Sequence, residues 1–126
     1  MEFKDALETM LKAVCNKDWK KFKDFLDPNI SVTAVLPPNR LIEGHDAFVQ
    51  SQQDYFANKT GMFSYELLQI ETSGDLGVGT IKATYADVAN GRSFEKAIFI
   101  TSVMKRHQGR WILVLDQNTV LEESVS

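Results

Sequence analysis

Gly109-Arg110-Trp111-Ile112-Leu113-Val114-Leu115-Asp116-Gln117-Asn118-Thr119-Val120 decides how the rest of this chain must be arranged. A glycine turn opens the stretch, and the run that follows is apolar on both of its alternating faces. Trp111, Leu113 and Leu115 share one face; Ile112, Val114 and Val120 share the other. A strand that is apolar on both sides has to be covered on both sides. Each face nevertheless ends polar, with Asp116 and Asn118 on one and Gln117 and Thr119 on the other. Buried amides and carboxyls need partners. One of these sets therefore closes an internal hydrogen-bond network or lines a pocket.

Reading back from that strand, the second half of the chain is all strand and turn. Phe63–Thr72 ends at Ser73-Gly74-Asp75, and Val78–Val88 ends at Asn90-Gly91, the strongest hairpin signal present. Ser93–Arg106 ends at Gln108-Gly109 and leads into Trp111–Val120, after which residues 122–126 read as a polar, frayed tail. Four long strands with short turns form an antiparallel meander that twists and curls.

The first half is mostly helical. Phe3, Leu7, Met10, Leu11 and Val14 recur at helical spacing, which predicts an amphipathic helix over residues 2–15. Asn16 is positioned to cap a second one carrying Trp19, Phe22 and Phe25/Leu26, stopped by Asp27-Pro28-Asn29. Ile30–Leu36 reads as a strand broken at Pro37-Pro38-Asn39, and Arg40–Glu43 as a short strand returning from that loop. Gly44 gives way to a third helix from Asp46 to about Asn58, with Asp46 at the positive end of its dipole. Trp19, Phe22, Tyr55 and Phe56 are expected in the core, where burial alone accounts for large aromatics.

A chain of 126 residues is one domain, 1–126, with length for a single core. Apolar content of 44% and charged content of 25% are ordinary for a globular protein. A net charge of -3 leaves no electrostatic footprint for nucleic acid or an anionic membrane. The lysines at 17, 20, 21 and 23 are interleaved with Asp18, Asp24 and Asp27, as on a solvated helix face. The single cysteine, Cys15, excludes an intrachain disulfide and fits a reducing, cytoplasmic setting; its place on a helix flank reads as a packed thiol. Residues 1–26 are charged throughout and lack the apolar region of a signal peptide, and no run nears the roughly 18 apolar residues of a membrane span. His45 and His107 lie far apart, with no cysteine or carboxylate at ligand spacing, so neither a metal site nor a cofactor is expected. P-loop, dinucleotide-binding, nucleophile-elbow and zinc signatures are absent.

The expected architecture is α+β: a curved antiparallel sheet wrapped over three helices of the N-terminal half, cone-shaped with an internal pocket. The uncovered convex side invites a two-fold partner, a homodimer through the sheet. Asp18-Trp19 through Phe22, Asp27-Pro28, Ile42-Glu43-Gly44-His45-Asp46, Thr80-Ile81-Lys82-Ala83-Thr84-Tyr85 and Gly109-Arg110-Trp111 together resemble the nuclear transport factor 2-like, cystatin-like cone superfamily. That superfamily includes ketosteroid isomerases and SnoaL-like polyketide cyclases. The resemblance runs from about residue 3 to 121 and is nearest to the association (hub) domain of calcium/calmodulin-dependent protein kinase. Hub-type relatives carry pocket arginines at the position matching Lys82 and near Asn118. A lysine and an asparagine stand here, so the bidentate fork is missing. Isomerase-like relatives place a base aspartate just after the first strand. Thr33-Ala34-Val35-Leu36-Pro37 offers no carboxylate or histidine in that place, which argues against ketosteroid-isomerase chemistry.

Lys82 and Tyr85 lie on opposite faces of one strand, so only one can face the pocket. The hub resemblance implies Lys82, with Thr84, Asp116 and Asn118, in the cavity, and Tyr85, Gln117 and Trp111 at the dimer face. Tyr55 joins the ligand-binding set, since its hydroxyl can serve a pocket while the ring packs. Asp116 is the candidate catalytic group: desolvation in an apolar cavity would raise its pKa and let it act as acid or base. Pairing with Lys82, or bonding to backbone amides, is the structural alternative. Two functions stand side by side. One is a small-molecule-binding homodimer, as an acid/base isomerase, dehydratase or cyclase if catalytic; the other is a non-catalytic oligomerisation module.

Overall fold

The computed structural model describes residues 1–126 and contains three α-helices, a 3-10 turn and six strands. Helix α1 (Phe3–Asn16) buries Phe3, Ala6, Leu7, Met10, Leu11 and Ala13 along one stripe and ends at Lys17, whose φ of 54° is left-handed. Asp18 caps the four-residue α2 (Trp19–Phe22): its carboxylate accepts from the Lys21 backbone N–H at 3.1 Å. Asn16, expected to cap, is instead the last residue of α1, because the turn at Lys17 displaces the start of α2 by two residues. A 3-10 turn over Lys23–Phe25 completes the second helical segment. Helix α3 (His45–Ala57) starts at Gly44, whose φ of +98° favours glycine.

The strands are β1 (Thr33–Leu36), β2 (Arg40–Glu43), β3 (Met62–Ser73), β4 (Leu76–Ala89), β5 (Arg92–His107) and β6 (Arg110–Val125). They form one curved, unclosed sheet in the order β2-β1-β6-β5-β4-β3. The meander β3–β6 is antiparallel as expected, but β1 runs parallel to β6, with Ala34 opposite Asp116. The sheet is therefore mixed. The chain enters it after the helices and turns straight back through β2, so β1 lies alongside β6 in the same sense. The frayed tail is also corrected: β6 continues to Val125, which pairs with Phe94, because the long β5 gives it a ladder to follow.

The helices cover the concave side. Ile81 and Ala83 of β4, Ile98, Ile100 and Met104 of β5, and Trp111 and Leu113 of β6 meet the buried faces of the helices there. Contact is close: a Cβ at Gly77 would collide with the Phe3 ring, so only glycine lets α1 lie on β4. Trp19, Phe22, Tyr55 and Phe56 form one aromatic cluster, with Phe22 and Phe56 centroids 5.0 Å apart. Burying a side chain of this size stabilises by ~1.5–3 kcal/mol.

One extra residue in β6 redistributes its side chains. Val103 pairs with Leu115 and Met104 with Leu113, so Val114 bulges and the alternation reverses there. Trp111 and Leu113 consequently share the concave face with Asp116, Asn118 and Val120. Trp111 is thus not at a convex interface: its ring packs on Phe3 at 5.3 Å and its Nε1 donates to the Met1 carbonyl oxygen at 3.0 Å. Gln117, opposite Thr101, does lie on the convex side.

Candidate functional site

Between α1, α3 and the concave face lies a cavity of about 390 Å³. Met10, Leu11, Phe22 and Leu113 line it with apolar surface, while Arg40 and Asp54 stand where it meets solvent. Asp116, Asn118 and Tyr55 all line it. Lys82 and Thr84 do not. In β4 the buried residues are Gly77, Gly79, Ile81 and Ala83, so Tyr85 points inward with them and Lys82 outward, on the convex face. The expectation that Lys82 and Thr84 face the pocket is overturned by the parity of this strand, which the Gly77 and Gly79 contacts with α1 set. Pairing of Asp116 with Lys82 falls with it.

Asp116 sits mid-sheet on β6, between Ala34 of β1 and Ser102 of β5. No lysine, arginine or histidine forms an ion pair with it. Burial pushes its carboxyl up to about 6, and the Asn118 amide beside it offsets part of that rise. Asn118 is itself held in place: its Nδ2 donates to the Val35 carbonyl oxygen at 3.0 Å and to that of Asp116 at 3.4 Å. Strand β1, the parallel neighbour, therefore orients the amide next to the carboxyl.

Tyr55 contributes a wall rather than a free hydroxyl. Its O–H donates to the Val14 carbonyl oxygen at 2.7 Å, and Lys17 Nζ lies 4.8 Å from the ring centroid. Burial raises its hydroxyl well above the ordinary tyrosine range.

Sequence reasoning passed over a second polar cluster at the end of α3. Tyr85 O–H donates to Asp87 Oδ2 at 2.8 Å, Asn58 Nδ2 donates to the same oxygen at 2.8 Å, and Thr60 Oγ1 donates to Oδ1 at 2.6 Å. The Val88 backbone N–H adds a fourth bond at 2.7 Å, and Lys17 Nζ donates to the Asn58 carbonyl oxygen. These bonds, that from Thr60 first, hold the Asp87 carboxyl well below its usual range. Burial and the Asp87 partner push Tyr85 up to about 12. Ser102 was also missed. The signal was present in Ile98-x-Ile100-x-Ser102-x-Met104, where one polar residue interrupts an apolar face.

His45 Nδ1 lies 2.9 Å from Asp46 Oδ1, and no group of three or more His, Cys, Asp or Glu converges anywhere in the chain. Cys15 is half-buried, and burial raises its thiol. No helix is long and apolar enough to cross a membrane.

The profile of the SnoaL-like domain matches residues 4–118. No curated protein sequence matches the chain. Among solved structures, it is similar to an inferred dehydratase of the NTF2-like family from Streptomyces avermitilis, with a TM-score of 0.79 at 17% identity over 94% of this chain and 93% of that one. It is also similar to an inferred calcium/calmodulin-dependent protein kinase type II association domain from Thiobacillus denitrificans, with a TM-score of 0.76 at 14% identity over 95% of each chain. The CaMKII hub of S. rosetta gives 0.71 at 20% identity over 92% of each. Identities this low establish the shared cone fold and nothing further.

Proposed function

The chain belongs to the SnoaL-like domain family, and on that premise we propose that it binds a small organic molecule in the cone and carries out acid/base chemistry on it, as an isomerase, dehydratase or cyclase. One observation carries this reading: Asp116 stands without an ion-pair partner on a largely apolar cavity wall, its carboxyl pushed up to about 6. A group titrating near neutrality can both take and return a proton, which acid/base catalysis requires. A structural carboxylate would have partners, and Lys82 is on the wrong face to be one. Asn118 and Tyr55 complete the binding surface, and proton transfer of this kind needs no cofactor.

The working unit in this proposal is a homodimer formed through the convex face. Val78, Phe99, Val103 and Leu115 lie there, with Thr80, Thr101 and Gln117 among them, and no helix covers them. Lys82 and Thr84 belong to this face. The similarity to hub domains favours association through it as well, and the cavity carboxyl is what separates a catalytic dimer from a pure association module.

A carboxyl-carbon NMR titration of aspartate-labelled protein tests the first part. One aspartate should titrate at about 6, and its signal should be missing in Asp116→Asn. An Asp116 signal in the ordinary carboxylate range would remove the acid/base reading. Light scattering tests the second: the mass of two chains at micromolar concentration is expected, and that of a single chain would remove the interface.

A further inference from the structure

The face of β5 that looks into the cavity carries Ile98, Ile100, Ser102 and Met104. Ser102 is 1% exposed and is the one polar residue among the fully buried side chains. Its hydroxyl joins none of the side-chain hydrogen bonds within the chain, yet no sealed-off polar atom is left unpaired, so the hydroxyl opens on the cavity it lines. Alanine or valine would suit this wall better if packing were all that mattered, because an unpaired hydroxyl among isoleucines is unfavourable.

Ser102 lies directly opposite Asp116 across β5 and β6. Directly opposed residues have Cβ atoms about 4.5–5.5 Å apart, so both side chains can reach the same end of one bound molecule. The Asn118 amide is committed to Val35, which leaves Ser102 as the uncommitted neutral donor beside the carboxyl. A hydroxyl donor matches a carbonyl oxygen. A carboxylate would fit poorly, since a second negative charge next to Asp116 in an apolar wall is repelled.

Resting on the reading of this cavity as an acid/base site, we infer that Ser102 determines specificity. The ligand it selects is an uncharged, mostly apolar carbonyl compound whose oxygen Ser102 holds beside Asp116. Its hydrocarbon body lies against Met10, Leu11, Phe22 and Leu113. Asn58, Tyr55 and Tyr85 are engaged in hydrogen bonds within the chain, Arg40 is exposed and Lys96 sits on β5 beyond Ile98 and Ile100, so Ser102 is the neutral donor left open beside the carboxyl.

Two probes of nearly equal shape test the inference: α-tetralone, which has the carbonyl, and tetralin, which does not. The wild-type protein should bind α-tetralone about tenfold more tightly, the worth of one neutral hydrogen bond. Ser102→Ala should erase most of that preference while leaving tetralin affinity unchanged and the thermal midpoint unchanged or higher. Ser102→Cys, which keeps the size but weakens the donor, should give an intermediate ratio. Equal affinities in the wild type, or a preference that survives Ser102→Ala, would overturn the inference and leave the cavity reading intact. If neither probe binds, the cavity reading falls too.

Discussion

Asp116 and Asp87 are two aspartates on neighbouring regions of one sheet, and their surroundings are opposite. Asp87, at the end of β4, accepts from Thr60, Asn58, Tyr85 and the Val88 backbone, and its carboxyl is held far down. Asp116, at the centre of β6, faces apolar side chains with Asn118 as its one relieving neighbour, and is pushed up to about 6. The first arrangement ties the end of α3 to β4 and is complete without any ligand. The second is incomplete, and a charge left without partners in a cavity is a feature that folding alone does not reward. The contrast separates a carboxylate whose bonding is complete within the fold from one left open to the cavity more clearly than residue type does.

The sharpest way to break the contrast is Asp116→Asn. In the folded protein this carboxyl binds its proton more tightly than in the unfolded chain, where it titrates near 3.8. Its contribution to stability is therefore present below about pH 4 and lost as the pH rises through about 6. Asn carries no charge to desolvate. The variant should be more stable than the wild type at about pH 8, by up to about 3 kcal/mol, and should lose that advantage toward pH 4. Urea unfolding at both pH values reads this directly; a variant less stable at high pH would make Asp116 structural.

Asp87→Asn should act in the other direction and by less, because solvent reaches Thr60 and the outer carboxylate oxygen and can replace part of the lost bonding. The depressed carboxyl stabilises the fold above the ordinary aspartate range, and that contribution is lost as the pH falls below it. The variant should be less stable at neutral pH, with the gap narrowing in acid. Amide exchange at Thr60 and Gly61 should quicken, since both pack around Asn58 Oδ1. Unchanged exchange and stability at neutral pH would show that the network is ornamental to the fold.

Local signals carried much of this protein. The 3.6 spacing of Phe3, Leu7, Met10 and Leu11 specified α1, and Asn90-Gly91 and Gln108-Gly109 specified the hairpins, because both depend only on neighbours in the chain. Asp116, Asn118 and Tyr55 were legible as cavity residues, since a polar group inside an apolar run has few places to go. What a bundle of such strands does with its faces lies beyond local signals. Alternation has two phases, and the choice between Lys82 and Tyr85 depended on α1 pressing against Gly77 and Gly79. The bulge at Val114 placed Trp111 and Asp116 on one face, although strict alternation from the sequence separates them. The parallel seam between β1 and β6, which aims Asn118 at the carboxyl, joins segments about eighty residues apart through backbone groups that any residue possesses. Periodicity is written in the chain, but phase and pairing are settled where distant elements meet.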